Sequence, residues 1–166
     1  IGEQALFSNT TGNYNTAVGY QAGYSNTVAA NLTAFGTQAA FSNTSGNENI
    51  AVGYRALYLN QTGYTLTAVG HQALYNNSAE GSTAIGGYAL YSNTTGTNNV
   101  AVGRQALFTN TTASNNTAVG YQALYSNTTG SINSAFGRSS QLNTTTGSGN
   151  NSFGYGSLYT NSTGSY

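Results

Sequence analysis

The chain has 166 residues, a formal net charge of zero and only 4% charged residues, and it contains no Cys, Pro, Met or Trp. Without cysteine it can form neither disulfides nor a thiolate metal site. Its three arginines, dispersed along the chain among Glu3, Glu48 and Glu80, make no basic surface for nucleic acid. No apolar run approaches the ~20 residues of a membrane-spanning helix, so insertion by this segment is not expected.

Low charge with abundant Gly, Asn, Ser and Thr is also the composition of a disordered segment. A strict period argues against that reading. From Ile1-Gly2 onward a hydrophobic-Gly step returns at Gly19, Gly36, Gly53, Gly70, Gly86, Gly103, Gly120, Gly137 and Gly154, with a spacing of 17 except for the 16 between Gly70 and Gly86. The chain begins and ends within a unit, and neither end resembles the polar cap that a repeat array normally carries. Residues 1–166 are therefore read as a single repeat array, a fragment or mature piece of a longer array.

Within each unit the residue before the Gly is large and apolar, from Val18 and Phe35 to Phe153, and the one before that is Ala17, Ala34, Ala51 and so on to Ser152. Neighbours in a strand face opposite ways, so these two columns point into different spaces. Three residues after the Gly comes a second Ala column, then mostly Leu, then an aromatic column running Phe7, Tyr24, Phe41, Tyr58, Tyr75, Tyr91, Phe108, Tyr125 and Tyr159. The pattern predicts two short strands per unit, T-A-V and A-L-Y, joined by G-Y-Q and by an N-T-T-G segment of turn formers.

Irregular units suggest which columns share an interior. Phe35 stands where Val is usual, while Ala40 and Gly23 stand where Leu is usual. Exchange of volume between the two columns is expected if the residue before the Gly and the Leu column pack together. The short NSAEGST segment between Asn77 and Thr83 is a change that a loop absorbs. At Ser139 to Leu142, SSQL replaces QALY and puts Gln141 at a Leu position, which predicts a loosened or water-containing turn.

Stacked one unit per turn, like residues sit about 4.8 Å apart, so ten coils make a rod of roughly 48 Å. Asn9, Asn26, Asn43, Asn60, Asn77, Asn93, Asn110, Asn127 and Asn161 then form one column whose amides hydrogen-bond along the axis. A coil this thin buries little apolar surface against the entropy of ordering its backbone. Burial of the Ala faces against further chains is expected to supply the missing contacts, giving a homo-oligomer.

The motif A-[VIF]-G-x-x-[AS], found at Ala17–Ala22, Ala51–Ala56, Ala101–Ala106 and Ala118–Ala123, resembles the head repeat of YadA-like trimeric autotransporter adhesins. It is also similar to repeats of phage-type tail fibres. The resemblance spans almost the whole chain and implies an all-β fold, a left-handed parallel β-roll of about ten coils with three rolls per trimer. It further implies a role in surface attachment, and so an extracellular, cell-surface or virion-surface location.

No catalytic constellation, cofactor fingerprint or metal-ligand cluster is visible. His71 is the sole histidine and is read as an exposed turn residue. The glycines of the repeat are structural and do not form a phosphate-cradling motif. Three features carry possible binding. Tyr58, Tyr75, Tyr91 and Tyr125 offer flat faces to a glycan or a host-surface protein, against an aromatic ladder as the plain alternative. N-x-[ST] sequences at Asn9, Asn43, Asn60, Asn93, Asn110 and Asn127 are glycan acceptors or simply turns. Threonines such as Thr10, Thr11, Thr94, Thr95, Thr128 and Thr129 offer hydroxyls, but from turns and not from alternate positions of a strand, which is unsuited to ordering ice. The leading expectation is a noncatalytic fibre, stalk or adhesin-head segment that self-associates as a trimer or filament. A carbohydrate-binding module built on the tyrosines is the alternative.

Overall fold

A computed structural model describes residues 1–165. Each unit contributes one three-residue strand: β1 (Thr16–Val18), β2 (Thr33–Phe35), β3 (Ile50–Val52), β4 (Thr67–Val69), β5 (Thr83–Ile85), β6 (Val100–Val102), β7 (Thr117–Val119), β8 (Ser134–Phe136) and β9 (Asn151–Phe153). They form one parallel sheet in sequential order, and each residue pairs with its equivalent in the next unit, as Ala101 does with Ala118. Parallel neighbours joined by only a dozen or so residues require the chain to go once round between them. The fold is an all-β parallel solenoid, with no helix among the described residues.

The short unit leaves the register intact. Thr67 still pairs with Thr83 and Val69 with Ile85 across β4 and β5. The missing residue is absorbed in the turn before β5, where Gly81 adopts φ +69°.

The A-L-Y run is not a second strand. Arg55 and Leu57 have φ +52° and +54°, and the equivalent Gln and Leu positions in other coils are left-handed too. Extended strands need negative φ, so this wall is a chain of tight turns. A left-handed residue other than Gly costs about 1–2 kcal/mol. Its return is alignment of the amides with the fibre axis: Gln105 N–H donates back to Gly87 O at 2.9 Å, and Leu107 N–H donates forward to Ala123 O at 3.0 Å.

The glycine after β-strand 6 illustrates why the repeat keeps that residue. Gly103 has φ +133°, and a Cβ there would lie 2.6 Å from the carbonyl carbon of Gly120. Both backbone conformation and the approach of the next coil exclude a side chain.

The interior differs from the expected one. Both Ala columns are buried inside the chain's own coil, together with Leu57, Leu74, Leu90, Leu107 and Leu124. The residue before each Gly points outward: Val52, Val69, Val102 and Val119 are half-buried, and Phe35 and Phe153 are 53% and 72% exposed. Strand alternation correctly separates Ala from Val, but the narrow coil admits only a methyl from the sheet wall opposite the Leu wall. The expected exchange of volume between Phe35 and Gly23 therefore does not occur. Leu6 and the fully buried Leu32 close that space instead, with their Cδ2 atoms 3.0 and 3.3 Å from where a Cβ on Gly23 would stand. The alanines are likewise not free to pack against other chains.

At Gln141 the turn is not loosened. Its backbone N–H donates to Ser157 O at 2.8 Å, continuing the ladder. Its buried Nε2 donates to Ser134 O, Asn150 O and Ser152 Oγ at 2.9–3.1 Å, and only Oε1 lacks a protein partner.

Candidate functional site

Side chains that repeat along the axis meet as ladders, and the ladders determine which groups remain available. In the Asn column, Asn110 Nδ2 donates to Asn93 Oδ1 at 2.8 Å and to Ala113 O at 3.0 Å, while its Oδ1 accepts from Asn127 Nδ2 at 2.9 Å. Buried amides paired in this way satisfy one another and tie coil to coil. The column is not continuous. Asn77 Nδ2 turns to Ala79 O in the short unit and Thr144 replaces Asn, so the buried Oδ1 atoms of Asn60 and Asn127 have no partner. A second column escaped the sequence reading. Asn99, Asn116 and Asn133 are fully buried, and Asn116 Oδ1 accepts from Asn133 N–H at 2.9 Å while its Nδ2 donates to Gly130 O.

These contacts dispose of the glycan acceptors of the first asparagine column. Asn43, Asn60, Asn93, Asn110 and Asn127 are fully buried, and the Nδ2 atom that a glycan would join is already donating inside the coil. Asn9 is half-buried, with Nδ2 on Gly12 O. In this column the N-x-[ST] pattern is the turn itself. Thr10, Thr44, Thr94, Thr111 and Thr128 direct their hydroxyls to carbonyls one coil on at 2.9–3.2 Å, which leaves only neighbours such as Thr95 and Thr129 facing solvent.

Phe7, Tyr24, Phe41, Tyr58, Tyr75, Tyr91, Phe108 and Tyr125 form a stack with ring centroids 5.1–5.4 Å apart and interplanar angles of 2–20°. Tyr58, Tyr75 and Tyr91 are covered by rings on both faces and present edges and hydroxyls outward, while Tyr125 ends the stack with Phe108 on one face. Burial in the stack raises the Tyr75 phenol above its ordinary value, against the opposing pull of the nearby Arg55 charge.

The residues after the repeat Gly form an exposed corner, and here the dispersed arginines come together. Arg104 and Arg138 occupy the first position after the Gly, as does His71, and Arg55 occupies the second, so they line one ridge along the rod. The expectation that the arginines are scattered among the glutamates is corrected by the coil: residues distant in sequence share a phase. Tyr20, Tyr54, Tyr121 and Tyr155 are exposed on the same ridge. His71 is exposed and stacks on Tyr54 at 5.1 Å. No group of three or more metal-ligating side chains occurs among the described residues.

The short unit opens a cleft of about 260 Å³ lined by Gly63, Tyr64, Ser78, Glu80, Thr95 and Thr97. The Glu80 carboxylate, through a hydrogen bond and its charge, raises the Tyr64 phenol above its ordinary value. The cleft thus sets one carboxylate beside one phenol, with the side chains of Ser78, Thr95 and Thr97 around them. No protein-family model, curated protein or solved structure matches the chain.

Proposed function

We propose that the chain is a noncatalytic structural segment of an extracellular fibre, stalk or adhesin head, at a cell or virion surface, that projects or spaces a binding end. The observation that carries this reading is the backbone ladder. It runs from coil to coil on both the sheet wall and the turn wall, and it crosses the short unit without a break at Gly86 N–H to Val69 O and Leu74 N–H to Ala89 O. Axial bonds of that kind resist bending and stretching over the whole length, while the lateral surfaces are left for association.

Three chains around one axis, each a left-handed roll, complete the proposal, in keeping with the resemblance to trimeric adhesin repeats. The contact surface is the outer side of the sheet and not the alanines. There Ile50 and Ile85, each 41% exposed, join Phe35, Val52, Val69 and Val102 in two columns without a charged residue. A stripe of this kind, repeating at one spacing, is matched along its full length by the same stripe on another copy. Sugar binding on Tyr58, Tyr75 and Tyr91 is disfavoured by their stacking on both faces, and Tyr125 alone does not make a ladder of binding faces.

Analytical ultracentrifugation of the purified chain tests the association. The expected species has the mass of three chains and an elongated shape, and Val69→Asp with Val102→Asp reduces it to single chains that keep their β-sheet circular dichroism. A compact single-chain species, unchanged by the double substitution at all concentrations, refutes it.

A further inference from the structure

The three arginines are the only strongly basic side chains in the sequence, and their placement is asymmetric. Glu48 and Glu80 belong to the turns before β3 and β5, away from the ridge. Glu3 shares the ridge but lies six coils from Arg104, or about 29 Å at the strand spacing. That exceeds the ~8 Å screening length at physiological salt several times over. The half of the ridge from Arg104 to Tyr155 is therefore cationic.

The way the guanidinium groups are held is specific. Arg138 Cζ lies 5.7 Å from the Tyr121 ring centroid and 5.6 Å from that of Tyr155, and Arg104 Cζ lies 6.0 Å from Tyr121. An alternation of Arg, Tyr, Arg and Tyr occupies four successive coils. Rings above and below fix the guanidinium of Arg138, and one ring holds that of Arg104; each keeps its N–H edge available for bidentate bonds to a carboxylate. Arg55 also lies against two rings, 5.1 Å from that of Tyr54 and 5.0 Å from that of Tyr58, but its Nε is already engaged, donating to Gln38 Oε1 at 2.7 Å. Among the described residues neither Arg104 nor Arg138 has a comparable acceptor. Beside them runs a Gln column in which Gln122 Nε2 donates to Gln105 Oε1 at 3.1 Å, adding amide groups suited to sugar hydroxyls.

We propose that the ridge formed by Arg104, Tyr121, Arg138 and Tyr155 binds an acidic saccharide, with the two guanidinium edges taking carboxylates and the phenol and Gln groups taking hydroxyls. Arg104 and Arg138 stand two coils apart, about 10 Å along the axis, so a chain molecule meets both at once. Nucleic acid fits less well. Two cations release few counterions from a phosphate backbone, and Tyr121 already has a guanidinium on each side.

The test is calorimetric titration of the full chain with oligogalacturonate and oligosialate, alongside methyl-esterified oligogalacturonate, polyglutamate and oligothymidylate. Binding of at least one acidic saccharide is expected, with none to the ester and weaker binding of the other two polyanions. Arg104→Gln and Arg138→Gln each weaken it about tenfold, the scale of one charge-assisted bond, while Arg55→Gln leaves it unchanged. Circular dichroism confirms that each variant remains folded. The proposal is overturned if neither acidic saccharide binds, if the ester binds equally, if polyglutamate or oligothymidylate binds as tightly, or if Arg55→Gln weakens binding as much as Arg138→Gln.

Discussion

Replacing Leu107 by Ala tests which residues form the core. Leu107 is fully buried, with Leu90 and Leu124 equally buried in the coils on either side. The site cannot collapse freely, because Leu107 N–H is held to Ala123 O at 3.0 Å. A cost of about 3 kcal/mol is expected, within the ~2–5 kcal/mol typical of such truncations. Val102→Ala removes a half-buried outward side chain and is expected to cost about 1 kcal/mol or less. A third variant separates packing from backbone. Leu107 has φ +51°, so Gly relieves about 1 kcal/mol of left-handed strain that Ala retains. Leu107→Gly should therefore be no less stable than Leu107→Ala, against the usual order of those two residues. Guanidinium unfolding followed by circular dichroism measures all three. If Val102→Ala costs as much as Leu107→Ala, the assignment of inside and outside is wrong.

Two further substitutions bear on the turns and the amide ladder. Gly103→Ala combines φ +133° with a Cβ 2.6 Å from the Gly120 carbonyl carbon and should cost about 3 kcal/mol or more. Gly87→Ala, whose nearest contact would be His71 O at 4.0 Å, should be neutral or slightly stabilising, and thermal melts of the pair compare them directly. Asn110→Asp places a buried carboxyl against two acceptors, Asn93 Oδ1 and Ala113 O. Burial and those acceptors raise its folded pKa above the unfolded value of about 4. The variant should be most stable below that pH and lose stability as pH rises through the folded pKa. A flat or rising profile, measured by denaturation across pH, contradicts the buried ladder.

Much of the fold was legible because a fixed period places like above like. The T-A-V strands, their register, the Gly column, the column from Asn9 to Asn127 and the stacking of Tyr58 on Tyr75 follow from that alone. What the period does not reveal is which side of a strand is inside. Alternation shows that Ala101 and Val102 face opposite ways, and only the width of the coil decides between them. The left-handed turns were hidden for a different reason. Leu at position 107 gives no sign of positive φ, and the signal lay in its column partner Gly23 and in Gly156 of the Gln column. The asparagine column of Asn99, Asn116 and Asn133 was passed over as turn composition, although Leu32 and Leu66 in the same column marked it as buried. The basic ridge was also present in the phase of Arg104 and Arg138. Along the chain its arginines stand far apart, and only around the coil do they fall in phase.

The central claim is that successive units each make one turn about a common axis. Spin labels at Thr11→Cys and Thr129→Cys, both exposed at the same phase of the repeat, lie seven coils apart. With labelled chain diluted in unlabelled chain, electron double resonance should give a single narrow distance near 34 Å, seven times the strand spacing. A broad distribution, or a distance far from that value, would mean that the units do not stack as coils.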